Sequence, residues 1–133
     1  MIRTLFILPL LGILLSAWLP VASDAGVQMT YMLNVKFRCD NGNTVPGYSV
    51  YVVGGRAEIG NWDVTKAVKL SPTAYPTWTG TVRFTGANPG DSLEWKCIIR
   101  NENNPSDVQT WQPGANNQVT MAFMPEPEST GKF

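Results

Sequence analysis

The chain has 133 residues, no histidine and two cysteines, and its formal net charge at pH 7 is zero. Without histidine, it lacks the commonest general base, the Ser/His and Cys/His nucleophile pairs and the usual nitrogen ligand for zinc. A neutral chain also offers no electrostatic footprint for nucleic acid or acidic lipid. The composition therefore favours a binding protein whose partner is uncharged or is contacted only locally, and no metal or cofactor is implied.

Residues 1–25 predict an export signal. Arg3 precedes an apolar run over residues 5–19, and small residues follow through Ala22 and Ala25. A membrane anchor is the alternative, but the run is short for a bilayer span and is interrupted or ended by proline. We expect cleavage after Ala22 or Ala25, which releases the mature chain, free of the membrane, to the periplasm or the extracellular medium.

The part of the chain after the signal has roughly 108 residues, enough for one domain with a single core. We expect residues 26–124 to form this domain and residues 125–133 to be a flexible tail. No second, catalytic domain is expected beside it.

Alternating apolar and polar residues predict β-strands throughout the domain, and no helix periodicity or internal repeat is visible. Turn sequences such as Asn41-Gly42 and Pro113-Gly114 separate the strands, and a proline-rich turn is expected near Pro72. Short strands with frequent turns predict an all-β antiparallel sandwich or barrel. The predicted strands cover residues 27–39, 48–53, 64–70, 78–84, 93–99 and 119–123.

Cys39 and Cys97 both lie at apolar positions of predicted strands. An exported protein meets an oxidising compartment, and an even pair of cysteines leaves none over, so we expect a disulfide between two strands. Two buried free thiols are the alternative.

Four of the five tryptophans follow the predicted signal, and two of them occupy unusual positions. Trp95 alternates with other inward apolar residues and is expected in the core, whereas Trp62 lies in a polar loop and Trp111 beside a Pro-Gly turn. Each of these two rings either folds down as a lid on the end of the sandwich or offers a flat apolar face to a glucose unit.

Carboxylates are the remaining candidates for catalysis, because glycoside hydrolysis needs only two of them. Their spacing forms no acid/base constellation, so we expect solvated surface groups and no enzyme activity. The candidates are Asp63, Glu94, Glu102 and Asp107.

Several sequence blocks over residues 33–124 resemble the family-20 carbohydrate-binding module, the starch-binding domain, and are most similar to the modules that end bacterial maltooligosaccharide-forming amylases. The resemblance implies an immunoglobulin-like β-sandwich with two glucan sites. The blocks are Tyr51-Val52-Val53-Gly54, Ile59-Gly60-Asn61-Trp62-Asp63, Tyr75-Pro76-Thr77-Trp78, residues 94–100, and Trp111 with Asn116-Asn117.

In the first implied site, Trp62 and Trp111 match a pair of stacking tryptophans, and Lys96 and Asn116 match residues that hydrogen-bond sugar hydroxyls. Gln112 falls where relatives often carry glutamate, and its amide keeps an acceptor oxygen. Strand alternation independently directs Lys96 outward, opposite to Trp95, although an ordinary solvated lysine fits that position equally well.

In the second implied site, Trp78 matches a tryptophan of the family, and Tyr75 takes part of the role of a stacking tyrosine. Relatives place that tyrosine where this chain has Pro46-Gly47. Because Trp78 alternates with Val82 and Phe84, a core position suits it equally well.

The resemblance predicts a secreted, non-catalytic module that binds starch, amylose, maltooligosaccharides and cyclodextrin, alone or beside separate amylolytic enzymes. The alternative is an immunoglobulin-like secreted domain that binds a protein partner through Trp62 and Trp111.

Overall fold

The computed structural model describes residues 29–133, so the predicted signal at residues 1–25 lies outside the described residues. The regular structure of the described residues is mostly β-strand, with two short 3-10 segments, Ala57–Trp62 and Val64–Lys66. The strands are β1 Met32–Asp40, β2 Tyr48–Gly54, β3 Val68–Lys69, β4 Ser71–Ala74, β5 Thr77–Thr85, β6 Ser92–Asn101, β7 Val108–Trp111, β8 Asn117–Thr120 and β9 Glu128–Lys132.

The strands form two sheets. In the first sheet the order is β4-β5-β1-β9, and β1 pairs antiparallel with β5 but parallel with β9. In the second the order is β3-β2-β6-β7, all antiparallel, and β8 pairs with another part of β6. The prediction of an all-β, antiparallel sandwich is confirmed. Within residues 29–133, no helix has the length and apolar character needed to cross a bilayer.

The core lies between the sheets and follows the alternation of the strands. Leu33, Val35 and Phe37 of β1 are buried, as are the corresponding inward residues of β6. Trp95 is fully buried, its ring packs edge-on against Phe37 with centroids 4.8 Å apart, and its Nε1 donates to Ser129 Oγ at 2.9 Å. The expectation that Trp95 belongs to the core is confirmed.

A disulfide joins the two sheets. Cys39 of β1 and Cys97 of β6 are both fully buried and bonded to each other, as predicted, so the alternative of two free thiols is wrong. The bridge closes a sequence separation of 58 residues, and it crosses the core beside Trp95.

The flexible tail predicted for residues 125–133 is wrong, because this segment contains β9. Ser129 and Gly131 are buried there, and a Cβ at Gly131 would lie 2.7 Å from the Cys97 sulfur. The sequence of β9 has no apolar alternation, so its strand is not visible in the pattern. It is held by backbone pairing with β1 and by small residues that permit close approach.

Three strand predictions also need correction. The strand predicted over residues 64–70 is a 3-10 turn followed by the two-residue β3, and the proline-rich turn expected near Pro72 lies in β4. The first strand begins at Met32, and its predicted start at residue 27 lies outside the described residues. The last predicted strand ends at Thr120, so Phe123 is exposed and packs edge-on against Tyr31.

Candidate functional site

The outer face of the second sheet carries the residues of the first predicted site. Along β6, Lys96 alternates with the buried Trp95 and Cys97, which confirms that it points away from the core. Across the sheet, Lys96 pairs with Val53 of β2, and Trp111 of β7 pairs with Ile98. Trp111 therefore lies two residues along β6 from Lys96, on the same face.

Trp62 lies at the other end of this face. A Cβ at Gly55 would be 3.5 Å from the Trp62 indole nitrogen, and the Gly55 N–H donates to the Glu94 carbonyl at 3.0 Å. Trp62 is therefore near position 94 of β6 and Trp111 is beside position 98, so the two residues lie on either side of Lys96 along the strand. Both rings reach solvent, with 37% of Trp62 and 44% of Trp111 exposed.

The backbone that presents Trp62 is unusual. Gly60, Asn61 and Trp62 have φ angles of +91°, +50° and +66°, three successive residues in the left-handed region. A large non-glycine residue rarely adopts this conformation, which usually persists only where surrounding structure enforces it. The next residue, Asp63, accepts hydrogen bonds at Oδ1 from the Thr65 hydroxyl at 2.7 Å and the Thr65 N–H at 3.0 Å. These bonds lower the pKa of the Asp63 carboxyl.

A small hydrophobic cluster supports this loop from below, on the outer face of the sheet. Tyr51, Val53 and Ile98 are buried there beneath the partly buried Val64 and other residues of the 3-10 region and β7. The guanidinium of Arg100 lies 3.8 Å from the Tyr51 ring centroid and donates to the Val64 carbonyl at 3.0 Å. The strand pattern predicted a single inner core. The outward burial appears only when the loop folds over the sheet.

The Lys96 side chain is hydrogen-bonded to the protein's own backbone. Its ammonium donates to three backbone carbonyls, those of Gln112 at 2.9 Å, Gly114 at 2.5 Å and Ala115 at 3.4 Å. All three carbonyls belong to the segment that follows Trp111. The alternative of an ordinary solvated lysine therefore does not describe this side chain.

Gln112 and Asn116 occupy different surroundings. The Gln112 side chain is only 6% exposed, and its amide bonds to Asn117 and to the Cys97 N–H, so it points inward and away from the sheet face. Asn116 is exposed, and its amide lies 3.4 Å from a Glu94 carboxylate oxygen. Nothing in the sequence indicates that Asn117 is the hydrogen-bond partner of Gln112. Asn116 and Asn117 are neighbours of the same residue type, and they differ only in the face of the chain that they occupy.

Tyr75 and Trp78 lie together at a separate place. Trp78 is 4% exposed and its Nε1 donates to the Gly42 carbonyl at 2.8 Å, whereas Tyr75 is 55% exposed with its ring centroid 6.3 Å from that of Trp78. Both line an open cavity of about 460 Å³, to which Pro46, Lys69 and Glu102 also contribute. Trp78 is thus mainly a core residue whose surface reaches the cavity.

The four candidate carboxylates each accept hydrogen bonds from local donors. Glu94 accepts from Asn116 and Gln118, and Asp107 accepts from the Tyr48 hydroxyl. The Ser49 hydroxyl and then the Lys69 ammonium lower the pKa of Glu102, as Thr65 does for Asp63. The lowered pKa values keep Asp63 and Glu102 ionised, which is the opposite of what a general acid at neutral pH needs. Across residues 29–133, no three His, Cys, Asp or Glu side chains gather where they could hold a metal.

Comparison with known proteins identifies the fold and its family. The family model described as "Starch binding domain" matches residues 32–130. In solved structures, the family 20 carbohydrate-binding module of the maltotetraose-forming amylase from Pseudomonas saccharophila STB07 is 46% identical. It superposes with a TM-score of 0.68 and covers 76% of this chain and 100% of that one.

Two enzymes are similar over the same region. The glucan 1,4-alpha-maltotetraohydrolase of Stutzerimonas stutzeri is 43% identical over 104 residues, which are 77% of this chain and 18% of that protein. The cyclomaltodextrin glucanotransferase of Klebsiella oxytoca is 49% identical over 86 residues, 64% of this chain and 12% of that protein. This chain thus spans less than a fifth of the length of either enzyme. With nearly all of residues 29–133 matched by the family model, the chain belongs to the starch-binding domain family.

Proposed function

We propose that the chain is a non-catalytic module that holds α-1,4-glucan by stacking successive glucose rings on Trp62 and Trp111. One observation carries this proposal: two half-exposed indole rings flank Lys96 on one face of the second sheet. The match to the starch-binding family supports starch, amylose and maltooligosaccharides as the ligands. Cyclodextrin, a closed α-glucan ring, is expected to bind as a compact mimic.

The chemistry of the face suits a neutral sugar. An indole ring offers a rigid apolar surface to the C–H face of a pyranose and loses little side-chain entropy on binding. Polar groups beside the rings, Lys96 and the Asn116 amide, supply hydrogen bonds to hydroxyls and fix the orientation. In this proposal Gln112 contributes its backbone carbonyl, which orients Lys96, while its buried side chain supports the loop.

We further propose a second, weaker glucan site at the cavity lined by Tyr75 and Trp78. The exposed Tyr75 ring is its stacking platform, and the Glu102 carboxylate and Lys69 are polar groups within the same lining. Two sites on one module raise avidity for a granule surface without any new contact.

The similarity to amylolytic enzymes supports a secreted location and work beside enzymes of that class. Catalysis is not part of the proposal, because the candidate carboxylates are engaged in local hydrogen bonds and the pKa values of Asp63 and Glu102 are lowered. Prolonged incubation with soluble starch is expected to release no reducing sugar.

Titration calorimetry of the mature protein with β-cyclodextrin tests the main site. The variants Trp62→Ala and Trp111→Ala are each expected to weaken binding at least tenfold, about 1.4 kcal/mol, because aromatic anchors carry most of the energy of such a site. Phe123→Ala, which removes an exposed aromatic residue elsewhere, is the matched control and is expected to bind normally.

Other outcomes assign the chain differently. Unchanged binding in both tryptophan variants would move the site to Tyr75 and Trp78. If wild-type protein gives no heat with cyclodextrin or amylose, the starch proposal fails and a protein partner at Trp62 and Trp111 takes its place.

A further inference from the structure

The segment of residues 112–117, called here the 112–117 loop, connects β7 to β8, includes the first residue of β8 and is held at two points. At its base, Gln112 and Asn117 exchange side-chain hydrogen bonds at 2.8 and 2.7 Å. Over the loop, the Lys96 ammonium contacts the carbonyls of Gln112, Gly114 and Ala115. Trp111 immediately precedes this loop and Asn116 lies within it, so both residues depend on the loop's conformation.

The distances divide the three ammonium donors into two groups. The contacts with Gln112 and Gly114, at 2.9 and 2.5 Å, are full hydrogen bonds, while the one with Ala115, at 3.4 Å, is at the limit of such a bond. A lysine ammonium carries three N–H donors, which diverge from one nitrogen. Two of them are therefore committed to the loop before any ligand arrives, and the third is the one that a sugar hydroxyl can take over.

We infer that Lys96 is a positioning residue that orders the 112–117 loop in the ligand-free protein, and thereby presents Trp111 and Asn116 in their binding arrangement. This inference rests on the glucan site proposed above. A loop ordered in advance spares the ligand the entropy of ordering it, so the loop bonds of Lys96 raise affinity although they do not touch the sugar. The longest bond, to Ala115, is exchanged for a sugar hydroxyl on binding.

Removal of the ammonium should therefore change the protein before ligand is added. In Lys96→Met the apolar stem is kept and the three carbonyls lose their donor. We expect the backbone amide resonances of residues 114–117 and the Trp111 indole N–H resonance to shift, and their hydrogen exchange to accelerate at least tenfold. Lys132→Met, on the exposed face of β9, is the matched control and should leave these signals unchanged. A ligand-free Lys96→Met spectrum identical to wild type in this loop overturns the inference.

A double-mutant cycle in the cyclodextrin titration supplies a second readout. If Lys96 positions Asn116, the loss of affinity in Lys96→Met combined with Asn116→Ala should be clearly smaller than the product of the two single losses. Independent contacts to the sugar would instead multiply, and that result contradicts positioning.

Wild-type protein gives a measurement that needs no variant. The protons on Lys96 Nζ are expected to exchange with water at least tenfold more slowly than those on Lys132 Nζ, and equal rates overturn the inference even if Lys96→Met does not fold. Failure of the glucan proposal is distinguishable: cyclodextrin would then give no heat with wild type, while the ligand-free measurements would still decide the role of Lys96.

Discussion

The side chains of Gln112 and Asn117 form a reciprocal pair, in which each amide donates to the carbonyl oxygen of the other, and Gln112 Oε1 also accepts the Cys97 N–H at 3.0 Å. The pair is covered by β9, where a Cβ at Gly131 would lie 2.5 Å from Gln112 Oε1. Burial and full hydrogen bonding together make this pair the foundation of the loop that follows Trp111.

Gln112→Glu is expected to destabilise the protein by about 1–3 kcal/mol, because a carboxylate cannot donate to Asn117 Oδ1 and leaves a buried acceptor without a partner. The free energy of unfolding in denaturant measures this change. Gln109→Glu, at an exposed position of β7, is the matched control and should stay within about 0.5 kcal/mol of wild type. Equal stability of the two variants would show that the pair is not needed.

Asp63 is expected to control the presentation of Trp62 through its hydrogen bonds with Thr65. Asp63→Ala should lower cyclodextrin affinity severalfold, because it removes the hydrogen bonds to Thr65 that fix the turn after Trp62. Asp63→Asn keeps the acceptor oxygen and should retain most of the affinity, which calorimetry on the two variants would compare. Equal losses in both variants would point to the charge instead of the turn.

The pH dependence of this effect has a definite sign. The pKa of Asp63 is lowered in the folded protein by the Thr65 hydroxyl and N–H. The stabilisation of the turn is therefore complete above the ordinary aspartate pKa of 3.8 and is lost as pH falls through the lowered folded value. Cyclodextrin affinity should be constant from neutral pH down to that range. The change in affinity at lower pH should differ between Asp63→Asn and wild type.

At the proposed second site, we expect Tyr75 to matter for binding and Trp78 to matter for stability. Trp78→Ala should destabilise the protein by about 3–5 kcal/mol, because it empties a buried volume and removes the donor to Gly42. Tyr75→Ala should leave thermal stability nearly unchanged while it weakens adsorption to granular starch. Adsorption isotherms and melting curves of the two variants provide the test. Unaltered adsorption in Tyr75→Ala would remove the second site from the proposal.

The Cys39–Cys97 bridge is expected to contribute about 4 kcal/mol to stability, on the loop-entropy model for a bridge that closes 58 residues. Replacement of both cysteines by alanine should lower the denaturation midpoint accordingly. Denaturant unfolding of this double variant and of wild type, with and without reductant, gives the measurement. A midpoint that reductant does not shift in wild type, at full reduction, would contradict the estimate.

The period-two alternation of the sequence was sufficient for the strands that carry the inner core. Leu33, Phe37, Trp95 and Cys97 lie where the pattern puts them, because a side chain on a strand has only two faces to choose from. The same rule directed Lys96 outward. The pattern failed at β9, where backbone pairing with β1 and close approach at Gly131 replace apolar alternation.

The arrangement of residues on the outer face of the second sheet is visible only in the tertiary structure. The sequence identified Trp62 and Trp111 as rings without a place in the core, but their shared face depends on how the left-handed turn at Gly60–Trp62 brings the loop back over β2. Tyr51 and Ile98 became buried on that side because the loop covers them.

The sequence by itself thus predicted the fold class, the bridge between the cysteines and the two tryptophans without a place in the core, since each of these predictions rests on local alternation, composition or the expected export. Only the tertiary structure decided which groups meet: that Lys96 bonds the carbonyls of the 112–117 loop, that Gln112 turns inward to Asn117, and that Trp78 is mostly covered. These contacts join residues on separate strands and loops. Their geometry depends on packing across the sheet, which the pattern of residues along the sequence does not specify.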